Sequence, residues 1–260
     1  MCGRARLADD WSEIKIRLKF DPDAPAPNYE YNHNLAPTER MMTAIRSEDG
    51  KRTPRMMKWG LIPSWAKDTK LQYSTINARS EEFTTKPAFK DAWKRGQRCL
   101  CVMTNFYEWK KLDEKGKEKQ PYAIFMAGRK PMVMAGLWST WRDPLNGEEV
   151  LSCTILTCGP NNAMAEIHNR MPCILGESDW AKWLGEESAT NDELLALLKP
   201  CPDEWLEIFP VDKKVGNVRN KGPELILPID PLCSPPGGKA IGLAVTDKSH
   251  GPGGDGQSAQ

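Results

Sequence analysis

The stretch Gln97-Arg98-Cys99-Leu100-Cys101-Val102-Met103, followed two residues later by Phe106-Tyr107-Glu108-Trp109, decides the fold class. The first part is a short apolar run that reads as a strand. The second continues as a strand, and the alternation of extended backbone puts Phe106 and Glu108 on one face. Upstream, residues 40–46 and 55–61 read as a hairpin around Glu48-Asp49-Gly50. Downstream, the charged segment 111–119 around Gly116 reads as a solvated hairpin turn. Strands follow at 122–126, 132–138 and 149–157, with a strand-like run from Trp205 to Val211. Helical spacing marks 9–20 through Trp11, Ile14 and Leu18, then a segment carrying Phe89 and Trp93 on one face. Further helices are expected at Asn161 to Ile167, near 178–185 and at 191–199. Strands and helices mix without βαβ alternation, which predicts an α+β fold on a mainly antiparallel sheet.

The composition allows a sizeable core: 260 residues, 40% of them apolar, with ten tryptophans. No apolar run approaches the length of a membrane span and the first residues do not resemble a signal peptide, so a soluble, cytoplasmic protein is expected, nucleoid-associated if bacterial. There are eight cysteines but no C-x-x-C, and three histidines, so zinc-ligand spacing is absent and no metal or other cofactor is expected. Cys99 and Cys101 read as ordinary buried thiols. A net charge of +1 leaves any phosphate-binding surface local. From residue 233 the chain turns to Ser234-Pro235-Pro236-Gly237-Gly238 and a final Gly/Ser/Gln stretch. The expectation is one domain over 1–232 and a disordered tail over 233–260.

Five features carry candidate chemistry. The chain begins Met1-Cys2-Gly3-Arg4. After removal of Met1, Cys2 bears a free amine and a thiol on adjacent carbons, a pair that closes a five-membered thiazolidine with an aldehyde. With reference pKa values of about 7.7–8.0 and about 8.5, both groups have a usable deprotonated fraction near neutrality. The plain alternative is a frayed terminus. Trp59-Gly60-Leu61-Ile62-Pro63-Ser64-Trp65 is an aromatic loop, read either as tucked onto the core or as a wedge for stacking on bases. Asn77 precedes a helix and can be turn chemistry. Glu108 between aromatics on a strand is a candidate proton donor, or an edge residue facing water. His168 at the end of a short helix can complement the helix dipole or act in acid–base chemistry.

Taken together, these segments resemble the SRAP (SOS response-associated peptidase) family. The matching stretches are Met1-Cys2-Gly3-Arg4, Tyr31-Asn32 with Ala36-Pro37, Trp59 to Trp65, Asn77-Ala78-Arg79, Phe106-Tyr107-Glu108-Trp109, Ile167-His168-Asn169-Arg170-Met171-Pro172 and Val215-Gly216-Asn217-Val218-Arg219-Asn220. They run in order over roughly residues 2–229, and they favour the functional readings of Cys2, Asn77, Glu108 and His168. Asn105 departs from the pattern, where the family often has Gly. The resemblance implies a curved, barrel-like antiparallel sheet flanked by helices. It also implies binding to single-stranded DNA and single-strand/duplex junctions that carry abasic sites, by a protein expected to be monomeric. Coupling to the site would run through Cys2. Glu108 and His168 would move protons, and Asn77 would orient the amine and sugar. Arg4, Arg79 and Thr157 would hold phosphates, and Trp65 with the Ile62-Pro63 turn would stack on or wedge against bases. Two other classes compete. One is a cysteine peptidase with Cys2 as nucleophile and His168 as base, including self-processing of Met1. The other is a non-covalent single-strand binding module using Arg79 and the tryptophans.

Overall fold

The computed structural model describes residues 3–69, 71 and 74–229. Cys2 and the segment from 233 lie outside these residues. In chain order the elements are β1 (Ala5–Leu7), α1 (Trp11–Arg17), β2 (Asn32–Leu35), β3 (Arg40–Arg46), β4 (Arg52–Trp59), β5 (Asn77–Arg79), α2 (Lys90–Lys94) and β6 (Arg98–Met103). They continue with β7 (Asn105–Lys111), β8 (Lys119–Met126), β9 (Met132–Arg142), β10 (Glu149–Cys158), α3 (Asn162–Ala165), β11 (Met171–Pro172), α4 (Trp180–Leu184), α5 (Asn191–Ala196) and β12 (Leu206–Pro210).

The strands make two sheets. One closes on itself in the order β10-β4-β3-β6-β9 and back to β10, a five-stranded barrel. Four of its neighbouring pairs are antiparallel, and β10 with β4 is parallel, Cys153 opposite Trp59. A ring with an odd number of strands cannot alternate direction all the way round, so one parallel step is a geometric necessity. β5 extends that step, running parallel to β10 with Asn77 opposite Ile155. On the other side of β10, β9 pairs as far as Gly136 and β11 takes over at Thr157. The second sheet is open and antiparallel, β12-β8-β7-β1-β2. The α+β class is as expected, and the two parallel pairings are what the local pattern did not announce.

The barrel interior is packed to the limit at Gly136. A Cβ there would stand 2.6 Å from Cys101 Sγ, 2.8 Å from the Thr154 carbonyl and 2.9 Å from Cys99 Sγ, so only glycine fits. Cys99 and Cys101 are fully buried, their sulfurs 4.0 Å apart. Helices seal the outside of this core. Ile14 and Leu18 of the first helix are buried, and Trp93 stacks on Trp183 at 6.3 Å with Phe83 edge-on at 5.3 Å. Trp183 Nε1 donates to the Cys99 carbonyl at 2.9 Å, which lets an indole be buried without an orphan donor. Each such ring stabilises the fold by about 2–3 kcal/mol.

The helix through Phe89 and Trp93 is confined to α2. Pro87 disfavours helical backbone at Lys86, so residues 80–86 form turns. Likewise β4 stops at Trp59 because Gly60 takes φ +127°, a conformation that side chains rarely adopt. The chain then leaves the barrel into the loop 60–69. No helix among the described residues is long and apolar enough to cross a membrane.

Candidate functional site

Two-residue alternation along β7 divides the open sheet. Phe106 and Ile124 face the main core together with Ala5, whereas Tyr107, Ala123, Phe125 and Phe209 build a smaller cluster on the other face. Glu108 follows Phe106 to the inner side and is only 4% exposed, so it is not an edge residue facing water. Its Oε1 accepts the main-chain N–H of Trp109 at 3.3 Å. A carboxylate taken so far from water is costly to hold and is a feature of acid–base sites more than of surfaces.

β1 runs beside this strand. Ala5 pairs with Phe106, and the Arg4 carbonyl accepts from Tyr107 N at 2.9 Å. That bond carries the pairing on to Arg4, one residue outside the bounds of β1. Arg4 itself turns to the other face. Its Nη1 donates to Asn34 Oδ1 at 2.9 Å and to the Val215 carbonyl at 2.7 Å, and its guanidinium stands 5.8 Å from the Trp109 ring. Burial pulls its pKa below the usual arginine value, against Glu39 and Tyr107. The structure therefore brings Arg4 to a polar clamp around the loop 215–220 and not to the face of Glu108.

That clamp is built on residues to which the sequence reading gave no role. Asn34 is fully buried, and its Nδ2 lies 3.1, 3.0 and 2.9 Å from the carbonyls of Val215, Asn217 and Asn220. Lys221 Nζ binds the Asn34 carbonyl at 2.7 Å and both carboxylate oxygens of Glu39 at 2.8 and 3.0 Å. Burial would raise the pKa of Glu39, but Lys221, the Ala36 N–H and Asn32 together hold it below the ordinary value.

The opposite wall comes from the barrel. β5 carries Asn77 and Arg79 on one side and buries Ala78 on the other. Arg79 is exposed, 3.7 Å from Glu82. Thr157, opposite Arg79 on β10, is buried and its Oγ1 lies 3.4 Å from the Ala78 carbonyl. Arg170 closes the group. It grips Glu81 with both guanidinium arms at 2.6 and 2.9 Å and donates to the Thr157 carbonyl at 2.5 Å and to its Oγ1 at 3.2 Å. Arg170 lies inside the quoted His168-Asn169-Arg170 run, and only the fold shows that it ties that run to the barrel.

His168 follows α3 and precedes β11. Asn161 caps α3 by accepting from Met164 N at 2.9 Å, and His168 N donates to the Met164 carbonyl at 2.8 Å. The main-chain N–H of Arg170 donates to His168 Nδ1 at 3.1 Å. Burial lowers the imidazole pKa and the charge of Glu108 opposes it, an electrostatic link from β7 to this segment. A second link is Lys110 Nζ to Glu166 at 3.8 Å.

The aromatic loop divides between the two readings of it. Ile62 and Pro63 are buried, Ile62 against Ala66 and Trp141, so that neither presents a side chain to solvent. Trp65 is 51% exposed. The loop is pinned beneath it: Ile62 N donates to Ser152 Oγ at 2.8 Å, and Trp141 Nε1 donates to the Ala66 carbonyl at 2.7 Å. Any stacking surface here belongs to Trp65, with Ile62 and Pro63 as its foundation. No group of metal-ligating side chains stands together among the described residues.

Comparison with known proteins shows the family and the fold. The family model described as SOS response associated peptidase (SRAP) matches residues 1–218. The abasic site processing protein YoqW of Bacillus subtilis (strain 168) is 36% identical over 87% of this chain and 99% of its own. The abasic site processing protein HMCES of Xenopus tropicalis is 31% identical over 80% of this chain and 69% of its own. A solved structure of a protein from Bacteroides thetaiotaomicron superposes with a TM-score of 0.75 at 24% identity, covering 88% of this chain and all of that one, and so shares its fold.

Proposed function

The chain belongs to the SOS response associated peptidase (SRAP) family, and we propose that it processes abasic sites in single-stranded DNA by coupling to them covalently through Cys2. What supports this reading is the pairing of β1 with β7, Ala5 beside Phe106, next to the strand that buries Glu108 two residues further on. In this reading the 1,2-aminothiol of residue 2 is the nucleophile, with Glu108 and His168 as its proton-handling groups. The names of the relatives supply the electrophile: an abasic deoxyribose is in equilibrium with a ring-opened aldehyde.

The reaction balances without a redox partner. The amine of Cys2 adds to the aldehyde carbon, the carbinolamine loses one water to give an imine, and the thiol adds across the imine, sulfur to carbon and its proton to nitrogen, to close the thiazolidine. Glu108 moves protons for ring-opening and dehydration. Asn77 orients the amine and the sugar. Arg79 and the Thr157 corner hold phosphate, with Arg4 supporting the strand that delivers Cys2. Such contacts make affinity fall with salt. Trp65 stacks on a base beside the site. The stable product makes the protein a shield that keeps the site from strand cleavage.

The test is incubation of Met1-processed protein with single-stranded DNA bearing one abasic site, followed by a denaturing gel. A heat-stable shifted band, lost in Cys2→Ala and absent with undamaged DNA, is expected. Cys2→Ser should give only an imine that borohydride traps. A stable crosslink from Cys2→Ser would sink the thiazolidine, and no band from the wild type would leave peptide cleavage as the assay to run.

A further inference from the structure

We propose that the outer part of the β7–β8 hairpin is a second DNA contact, which takes the phosphate backbone of duplex DNA beside the abasic site. The inference rests on the abasic-site reading above and extends it to a surface outside the candidate residues. From Lys110 and Gln120 outward the two strands pair only with each other, Lys110 opposite Gln120 and Lys111 opposite Lys119. Pairing with β1 ends at Tyr107, and pairing with β12 begins at Tyr122. The hairpin thus projects beyond the sheet as a two-stranded ribbon. Residues 110–119 hold five lysines against Asp113, Glu114 and Glu118. Asp113 Oδ1 is engaged by the Glu118 N–H at 3.1 Å, and the Glu118 carboxylate by Lys213 at 3.8 Å. Lys110 pairs with Glu166, but among the described residues Lys111, Lys117 and Lys119 make no ion pair. Like charges directly opposite on a ladder destabilise it, so Lys111 across from Lys119 is an arrangement that a bound anion would relieve. Lys117, Lys119 and Lys213 line one open cleft of about 600 Å³ with Trp109 and Pro121. Lys111 lays its stem over the turn at Gly116, where a Cβ would stand 3.2 Å from Lys111 Cδ and Cε.

The chemistry of this surface selects paired DNA. Lysine ammonium groups meet phosphates as point charges and carry no base preference. A two-stranded β-ribbon is admitted by the major groove of B-DNA, ~12 Å wide, with its flanks against the bordering backbone. Holding unpaired bases calls instead for exposed aromatic rings on which they stack. The one aromatic side chain in residues 109–121 is Trp109, which is half-buried with the Arg4 guanidinium 5.8 Å from its ring. The ribbon therefore takes the duplex, and the unpaired strand is left to the face of Glu108. Three residues of β7 separate Glu108 from Lys111, about 10 Å of extended chain, so the duplex starts close to the abasic sugar.

The test is fluorescence anisotropy over a salt series with two undamaged DNAs. One is a single strand; the other is the same strand annealed so that an unpaired end adjoins about one helical turn of duplex, ~10 base pairs. The variant carries Lys117→Gln and Lys119→Gln together. On the duplex-bearing DNA its slope of log affinity against log salt should be shallower than that of wild type by about 2, since each phosphate contact contributes about 0.9. On the single strand the slope should not change. An unchanged slope on the duplex-bearing DNA overturns the inference and leaves these lysines to an acidic protein surface. An equal change on both DNAs overturns the assignment to duplex. Crosslinking of the variant to a single-stranded abasic site should match wild type, which separates the ribbon from the candidate site. Lys119→Glu sets opposite charges across the ladder, so it should keep or raise the melting temperature while weakening duplex-bearing DNA by about tenfold at low salt. Full affinity in that variant also overturns the inference. If the wild type crosslinks to no abasic DNA, the abasic-site reading falls, and the two slopes still decide whether the ribbon holds duplex.

Discussion

The closed barrel and the open sheet of this protein are held by different forces. The barrel is filled by methionine, cysteine and leucine side chains packed so closely that Gly136 has no room for a single carbon. The open sheet buries an apolar face against that core but also carries polar groups into the interior: Glu108 on one face, and Asn34 with Arg4 on the other. The barrel is thus rigid through shape, and the sheet is ordered through hydrogen bonds. The candidate residues divide between them, with Asn77, Thr157 and Arg170 tied to the barrel and Glu108 on the sheet. Rigid walls with polar contents suit the proposed chemistry, which depends on holding its reacting groups in one geometry.

Substitutions can break this contrast from either side. The largest expected effect is on the sheet's chemistry. Glu108→Gln keeps the volume and should slow crosslinking by about 100-fold or more while DNA binding in a gel-shift assay persists. Unchanged rates would remove Glu108 from proton transfer. In the barrel, Gly136→Val should destabilise the protein by about 3 kcal/mol in denaturant titration, by overpacking. A small effect there would mean that the barrel can breathe and that its rigidity is overstated. On the sheet, Asn34→Leu removes hydrogen bonds without opening a cavity. It should cost about 2 kcal/mol, because the carbonyls around residues 215–220 and the Arg4 guanidinium lose a buried partner. Trp65→Ala should leave the melting temperature nearly untouched and weaken single-strand binding roughly tenfold, read by fluorescence anisotropy.

The smallest expected effect concerns Asp9, a buried carboxyl that accepts from Thr104 Oγ1 at 2.7 Å where β1 turns into α1. Burial raises its pKa above the ordinary 3.8, and the Thr104 bond only partly offsets this. The folded state thus binds this proton more tightly than the unfolded chain does, and the cost of the ionised group appears as pH rises above 3.8 through the folded-state value. Asp9→Asn should therefore gain on the order of 1 kcal/mol relative to wild type at pH 7, and that advantage should vanish at pH 3. An advantage independent of pH would show that charge is not the cause.

The strands around Cys99 and Cys101, the hairpins and the short helix ending near His168 were all legible from local pattern, because alternation, turn residues and caps act over a few neighbours. The chemistry proposed for Cys2 is a reading of covalent adjacency, an amine and a thiol on neighbouring carbons once Met1 is removed, together with the family resemblance. Other things depended on residues far apart in the chain. The odd-numbered closure of the barrel forced the parallel step. Strand register turned Arg4 away from Glu108 and toward Asn34 and Val215, some 30 and 211 residues distant. Packing sent Ile62 inward and left Trp65 outside. Arg170, embedded in a motif whose local spacing says nothing of its partners, found Glu81 and Thr157 only once β10 and β11 had paired. The sequence by itself determined the longer strands and the candidate groups, while β5 at Asn77–Arg79 came only with the fold. The tertiary structure decided which of those groups share a face, because that choice is made by burial and by hydrogen-bond partners that no local window contains.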